Sequence, residues 1–197
     1  AIADRAVEIF REAVGNQHSL EVLGSSTDSA LRRAVNLVNR SSHHANWIRI
    51  RLLAGTSSLN STMTRITRGR RPGHCPVCKS GIETVVHFLR KCSAESSHDA
   101  RSHHRVRVSQ KFEDLSDIQQ CAFILGCTVR RGSIELTANP TEDLSNRELV
   151  ETLWDTRCAA LTAAAAEELT TIENVRLGRS RSGNQGVEAH GIATLSN

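Results

Sequence analysis

Cys75, Cys78, His87 and Cys92 follow the spacing C-x2-C-x8-H-x4-C within HCPVCKSGIETVVHFLRKC, residues 74–92. Two cysteines separated by two residues can turn both thiolates onto one ion, and Pro76 helps to fix that knuckle. Three thiolates and one imidazole are the ligand set of a structural, tetrahedral Zn2+ site. The chain would supply all four positions, leaving none for the water that a hydrolytic metal must activate. One structural Zn2+ is therefore expected, an ion that contributes on the order of 10 kcal/mol to folding in isolated zinc modules. The competing reading is four unligated residues of a reduced core, against which the close, ordered spacing argues. His74, beside Cys75, is a rival ligand, though such a neighbour more often lies next to a site than on the ion. His98, His103 and His104 have no metal spacing and are expected to face solvent, while Cys121, Cys127 and Cys158 fall on apolar faces and read as core thiols.

The elements that must position these ligands read as helices. Ser80 and Glu83 have the spacing of a capping box, which predicts a helix starting near residues 81–83. That helix would point His87 inward and deliver Cys92 just past its last full turn, because five α-helical residues leave a side chain about 140° from its start. Apolar periodicity predicts further helices over 2–14, 28–40, 43–54 (carrying Trp47, Ile48 and Leu52) and 59–68. One long or two short helices are expected over 94–126, with Phe112, Leu115, Ile118, Ala122 and Phe123 inward and Gly126 as the stop. A small hairpin around Gly132 follows. A capping box at Ser145 and Glu148 then predicts a long helix from 146 to about 170, with Leu149, Leu153, Trp154, Cys158 and Leu161 on one stripe. From Gly178 onward the composition is that of a disordered tail. The expected class is mainly α: a small helical bundle over 16–177 with a zinc-knuckle insertion at 74–92.

Charge is unevenly spread along the 197 residues, whose total is +4. Residues 65–111 hold eleven Lys/Arg against three acids, a net of +8, whereas residues 112–197 hold seven against thirteen, a net of −6. The basic segment surrounds the cysteine–histidine cluster, where a polyanion is expected to sit. Arginine outnumbers lysine 22 to 3, which suits bidentate phosphate contacts. Tyr is absent and only four Phe and two Trp occur, so base stacking is not prominent and binding should be backbone-dominated and salt-dependent. The null alternative for these arginines is a solvated basic face. No membrane span is expected, since no stretch approaches 18 uninterrupted apolar residues. Clustered rather than paired cysteines favour a reducing, intracellular compartment, nuclear or cytoplasmic. The chain begins at Ala1 rather than Met and is expected to be part of a longer protein.

CPVCKSGIETVVHFLRKC resembles the zinc-binding domain that follows the reverse transcriptase in non-LTR retrotransposons. The matching features are Cys75-Pro76-Val77-Cys78, Glu83-Thr84, His87-Phe88-Leu89 and the closing Cys92. Upstream, Arg51, Leu52 and Gly55 of WIRIRLLAGTSSLN are similar to the R-L-x-x-G turn that precedes the knuckle in that family, and Arg101 lies where the family often has an arginine. The likeness covers roughly residues 45–105, with Lys79 standing where glycine is common. AIADRAVEIF is similar to the last motif of a retroelement ribonuclease H, in which Asp4 would be a metal-binding carboxylate and residues 1–15 the end of that domain; an ordinary amphipathic helix is the alternative.

The resemblance implies a nucleic-acid-binding module, for RNA or DNA, attached to a reverse transcriptase domain. Arg65, Arg68, Arg70 and Arg71 before the knuckle, and Arg90, Lys91 and Arg101 after it, are the candidate phosphate contacts. No catalytic set is expected in this chain. It has no Asp-Asp pair for a polymerase, and none of Lys79, Lys91 and Lys111 completes a Glu-x-Lys endonuclease motif. The alternative function is a zinc-braced helical scaffold that docks onto the polymerase or another subunit, with an incidental basic face.

Overall fold

The computed structural model describes residues 44–182, apart from 54–56, 70–72 and 133. The helices expected over 2–14 and 28–40, together with Asp4, Gly55, Arg70, Arg71 and residues 183–197, lie outside the described residues.

The order is α1 (His44–Leu53), α2 (Asn60–Ile66), a π-helical turn (His87–Lys91), α3 (Glu95–Arg105), a 3-10 turn (Gln110–Phe112), α4 (Asp117–Ile124), β1 (Val129–Arg131), β2 (Ile134–Leu136) and α5 (Pro140–Ser182). The fold is mainly α, as the periodicity predicts. The one sheet among the described residues is the hairpin of β1 and β2, paired Val129↔Leu136 and Arg131↔Ile134. Gly132 turns it at a φ of +59°, a left-handed conformation that glycine adopts without a Cβ penalty.

Helix α5 is the spine, against which α1 and α3 lie most closely. It starts six residues before the expected point because a stronger signal lies upstream. Asn139 Oδ1 accepts from Glu142 N–H and Glu142 Oε2 accepts from Asn139 N–H, both at 2.9 Å, a reciprocal cap with Pro140 in the first helical position. Ser145 is therefore a buried residue inside the helix, and Glu148 pairs with Arg107 rather than capping anything. At the other end, the helix continues through residues 178–182, which the composition assigns to the tail. The run AALTAAAAEEL, 159–169, carries it past the packed body on helix propensity alone. Beyond Arg157 no described side chain of α5 is buried.

The core gathers Ile48, Leu52 and Leu53 of α1, Phe88 and Leu89 of the π turn, Phe112, Phe123 and Ile124, and Leu149, Val150, Leu153 and Trp154 of α5. Phe88 meets Trp154 edge-on at 6.0 Å, so the knuckle is part of the core and not an appendage to it. Burying a side chain such as Phe88 or Leu89 contributes about 1.5–3 kcal/mol.

Several apolar residues of the expected helices turn out exposed. Trp47 is 64% exposed, because the buried face of α1 is rotated to include Asn46 and Arg49. Buried Arg49 is held there by Asp143 at 2.9 Å, an ion pair that hydropathy does not register. Ile118 is 41% exposed because Gln120 takes the inward place on α4 and donates to the Phe112 and Leu115 carbonyls. Leu161 and Cys158 are exposed, since the body ends at Arg157. His104, expected in solvent, is buried: its Nε2 meets Asn146 Oδ1 at 2.7 Å, and Asn146 Nδ2 donates to the Phe123 carbonyl.

The other interior charge pair spans the molecule. Glu83, fully buried beside the knuckle, accepts from Arg157 of α5 at 2.7 Å (Oε1 to Nε) and 3.2 Å (Oε2 to Nη2). Glu83 Oε2 also accepts from the Asn60 N–H that opens α2, and Arg157 Nη2 donates to the Ser58 carbonyl, both at 2.6 Å. Glu83 is thus an interior ligand for an arginine and not the helix cap that its spacing from Ser80 predicts.

Two consequences are measurable. Removing either partner leaves a buried charge unpaired, so Glu83→Ala and Arg157→Ala should each cost about 3–5 kcal/mol in denaturant unfolding, with the double variant far from additive. Burial, only partly countered by the Asn146 contact, lowers the His104 pKa from its usual 6.5. The unfolded chain therefore binds the extra proton first, and the histidine's contribution is full above pH 6.5 and lost as pH falls through the folded value. Stability measured from pH 7.5 to 5 should decline more steeply in the parent protein than in His104→Gln, and equal slopes would show that His104 is not the group titrating.

Candidate metal centre

Two short backbone segments build the centre. The first is a tight antiparallel loop in which Cys75 N–H donates to the Gly81 carbonyl at 2.7 Å, Glu83 N–H to the Gly73 carbonyl at 2.8 Å and Lys79 N–H to the Cys75 carbonyl at 2.9 Å. His74 and Ile82 face each other across it as an isolated bridge. The loop reverses at Lys79, whose φ of +60° is left-handed and unfavourable for a residue with a Cβ. That geometry is a physical reason for glycine at this position.

The second segment is the helical turn after Thr84, whose Oγ1 accepts from His87 N–H at 3.1 Å in the manner of an N-cap. Helix therefore begins at residue 85, later than the expected 81–83, because Glu83 is committed to Arg157. The turn then widens: Cys92 N–H donates to the His87 carbonyl at 2.8 Å, an i→i+5 bond. An α-helix would leave residues 87 and 92 about 140° apart. The π turn brings them to the same side, so His87 and Cys92 can serve one centre.

The Cys75, Cys78 and Cys92 sulfurs and a ring nitrogen of His87 all lie within 4.8 Å of one another, close enough to hold a metal ion. Cys75 Sγ is 3.8 Å from Cys92 Sγ, and Cys78 Sγ is 3.2 Å from His87 Nε2. The sulfur separation is far beyond the roughly 2.05 Å of a disulfide. It matches the edge, about 3.8 Å, of a tetrahedron whose sulfurs stand about 2.3 Å from a common centre. His74 is exposed and outside the group, its carbonyl taken by Asn60 Nδ2.

The thiols differ in their readiness to ligate. Burial raises Cys75 to about 12. Burial also works against the Cys78 thiolate, but the Ser80 hydroxyl at 3.3 Å, the backbone of Ser80 and Gly81 and the His87 ring outweigh it and bring Cys78 down to about 5. Cys78 thus offers a thiolate at neutral pH, whereas Cys75 needs a cation to lose its proton. Burial raises Cys121 to about 12, as suits a thiol packed in the core rather than a ligand.

Gly81, which the cysteine spacing does not single out, decides where the His87 ring lies. A Cβ at that position would stand 2.7 Å from Cε1 and 2.9 Å from Nδ1 of the imidazole.

The candidate phosphate contacts are divided between surface and interior. Arg68 is exposed, the side chain of Arg65 is not described, and Arg70 and Arg71 lie outside the described residues. Lys91 is half-exposed and paired with Asp117 at 2.7 Å. Arg90 is half-buried, its guanidinium 5.4 Å over the Phe112 ring. Arg101 donates to the Cys92 carbonyl and so braces the closing ligand from behind. Burial and neighbouring arginines depress the pKa of both Arg90 and Arg101.

Changes in the knuckle backbone should separate strain from fit. Gly81→Ala should displace His87 and weaken metal binding by about 10–100-fold, as measured by competition with a chromophoric chelator. Lys79→Gly relieves the left-handed strain and should leave affinity unchanged and stability equal or up to about 1 kcal/mol higher. Comparison with known proteins finds no matching family model, no similar curated protein and no similar solved structure.

Proposed function

We propose that this chain is a zinc-stabilised nucleic-acid-binding module from the C-terminal region of a non-LTR retrotransposon reverse transcriptase polyprotein, where it positions template RNA or target DNA. The observation that carries the reading is a four-ligand Cys3His group built into the segment of net charge +8. Cys75, Cys78, His87 and Cys92 would hold one Zn2+. The ion would supply a cross-link between the knuckle loop and the π turn, with no open position for chemistry. Arg65, Arg68, Arg70, Arg71 and Lys91 would contact phosphates, together with the half-buried Arg90 and Arg101.

A second reading, a zinc-braced protein-interaction module, draws on α5. Leu161, Leu169, Ile172 and Val175 are exposed on the part of that helix that extends past the body. Such a surface suits a partner helix, for instance from the reverse transcriptase domain.

Protein purified under reducing conditions should carry one zinc per chain and lose helicity on chelation or in Cys92→Ser; metal-free folded protein overturns the zinc assignment. Oligonucleotide binding should weaken steeply with salt. Combined Arg68→Ala, Arg70→Ala and Arg71→Ala should reduce the log–log salt slope by about 0.7–0.9 per lost phosphate contact. Absence of binding at low salt favours the interaction module instead.

A further inference from the structure

The fully buried arginines among the described residues each have a carboxylate. Arg49 has Asp143 at 2.9 Å and Arg157 has Glu83 at 2.7 Å. Arg90 and Arg101 do not: among the described residues neither forms an ion pair, and Arg90 Nε and Arg101 Nη1 are buried without a hydrogen-bond partner. Both line one cleft of about 160 Å3 with His98, Ser102 and Arg105.

Its construction is regular. His98, Arg101, Ser102 and Arg105 are positions i, i+3, i+4 and i+7 of α3, hence one face of that helix. Arg90 comes from the π turn opposite. Each guanidinium is steadied from outside the cleft: Arg90 by the Phe112 ring, Arg101 by the Cys92 carbonyl and Arg105 by Glu113, whose Oε1 accepts from Nε at 2.8 Å. The Ser102 hydroxyl donates to the His98 carbonyl, so the cleft's donors to an anion are its guanidinium groups. Of the acids around the cleft, Glu113 is taken up by Arg105, Asp117 by Lys91, and Asp99 lies 3.9 Å from His98 at the rim. Three arginines therefore converge with one carboxylate of their own.

We propose that this cleft is a phosphate site, in which Arg90, Arg101 and Arg105 together hold the oxygens of a single phosphate group. Like charges brought together in a partly desolvated cleft are stabilised by a multivalent oxyanion, and guanidinium donors held in place lose little entropy when they bind one. The identification of that phosphate as part of a nucleic-acid backbone rests on the function proposed above; the cleft itself does not.

Inorganic phosphate is the direct probe, titrated into the full metal-loaded chain at constant ionic strength against chloride and followed by calorimetry and by the NMR signals of the arginine Nε–H groups. One saturable site is expected, weakened at least about tenfold by Arg105→Gln and unchanged by Lys111→Gln, an exposed cation outside the cleft. Arg105 is more than half exposed, so this variant keeps its fold even if Arg101→Gln does not. Absence of saturation, or a site insensitive to Arg105→Gln, overturns the proposal. A single-stranded oligonucleotide should compete with phosphate for the site. Phosphate binding without any oligonucleotide binding would uphold the cleft and refute the nucleic-acid function. Oligonucleotide binding that neither competes with phosphate nor responds to Arg105→Gln would do the reverse.

Discussion

The Glu83–Arg157 pair sets the position of everything around the knuckle. Two charges taken out of water are tolerated only if every lone pair and N–H is met. Here Glu83 receives Arg157 and the first N–H of α2, while Arg157 also serves the Ser58 carbonyl and lies 5.2 Å from the Trp154 ring. Those contacts tie the knuckle, the start of α2 and the last buried turn of α5 to one point. An apolar contact there would tolerate sliding by an ångström. A bidentate ion pair does not, because displacement exposes an unpaired charge to a low-dielectric interior.

That fixed point explains the irregular backbone beside it. With Glu83 held inward, helix can begin only after Thr84, and the second half-site at Cys92 lies just eight positions further on. A regular α-helix over that interval would turn Cys92 away from His87. The i→i+5 bond from Cys92 to His87 widens the turn at the place where both ligands are needed, and Phe88 and Leu89 in that turn enter the core. The left-handed Lys79 and the crowded Gly81 are the counterparts on the other strand of the knuckle. Two local departures from ideal geometry, the π turn and Lys79, thus coincide with the close approach at Gly81 around one group of four side chains. Strain gathered in this way is characteristic of a site rather than of a scaffold.

The cluster was legible because metal chemistry fixes both residue types and spacing, so Cys75, Cys78, His87 and Cys92 could be read from the chain and are found close enough together to hold a metal ion. The hairpin at Gly132 and the two short helices before it were legible for a similar reason, since each is specified by residues close in sequence. What could not be read is the set of contacts between polar residues distant in sequence. Glu83 meets Arg157 across 74 positions, Arg49 meets Asp143 across 94 and His104 meets Asn146 across 42. Hydropathy places each of these residues outside, and only a partner elsewhere in the fold makes burial affordable. The same blindness accounts for Trp47, which faces solvent because Arg49 claims the interior. The start of α5 was misjudged for a different reason. Two capping signals compete there, and Asn139 with Pro140 prevails over Ser145.

The arginine that follows the closing cysteine links the two halves of the proposed role. Arg101 reaches back to the carbonyl of Cys92, so the residue that completes the ligand set also positions a guanidinium of the basic cleft. A second guanidinium of the cleft, that of Arg90, comes from the same π turn that presents His87. An ion bound to the four ligands would therefore do more than close a loop. By holding the π turn to the knuckle it would keep Arg90 and Arg101 together at one cleft, against their mutual repulsion. On release of the ion, the repulsion would be opposed by the core packing of Phe88 and Leu89 and by the Phe112 and Cys92 contacts of the two arginines. A closed metal centre, with no chemistry of its own, can in this way govern an anion site through the cost of holding like charges together.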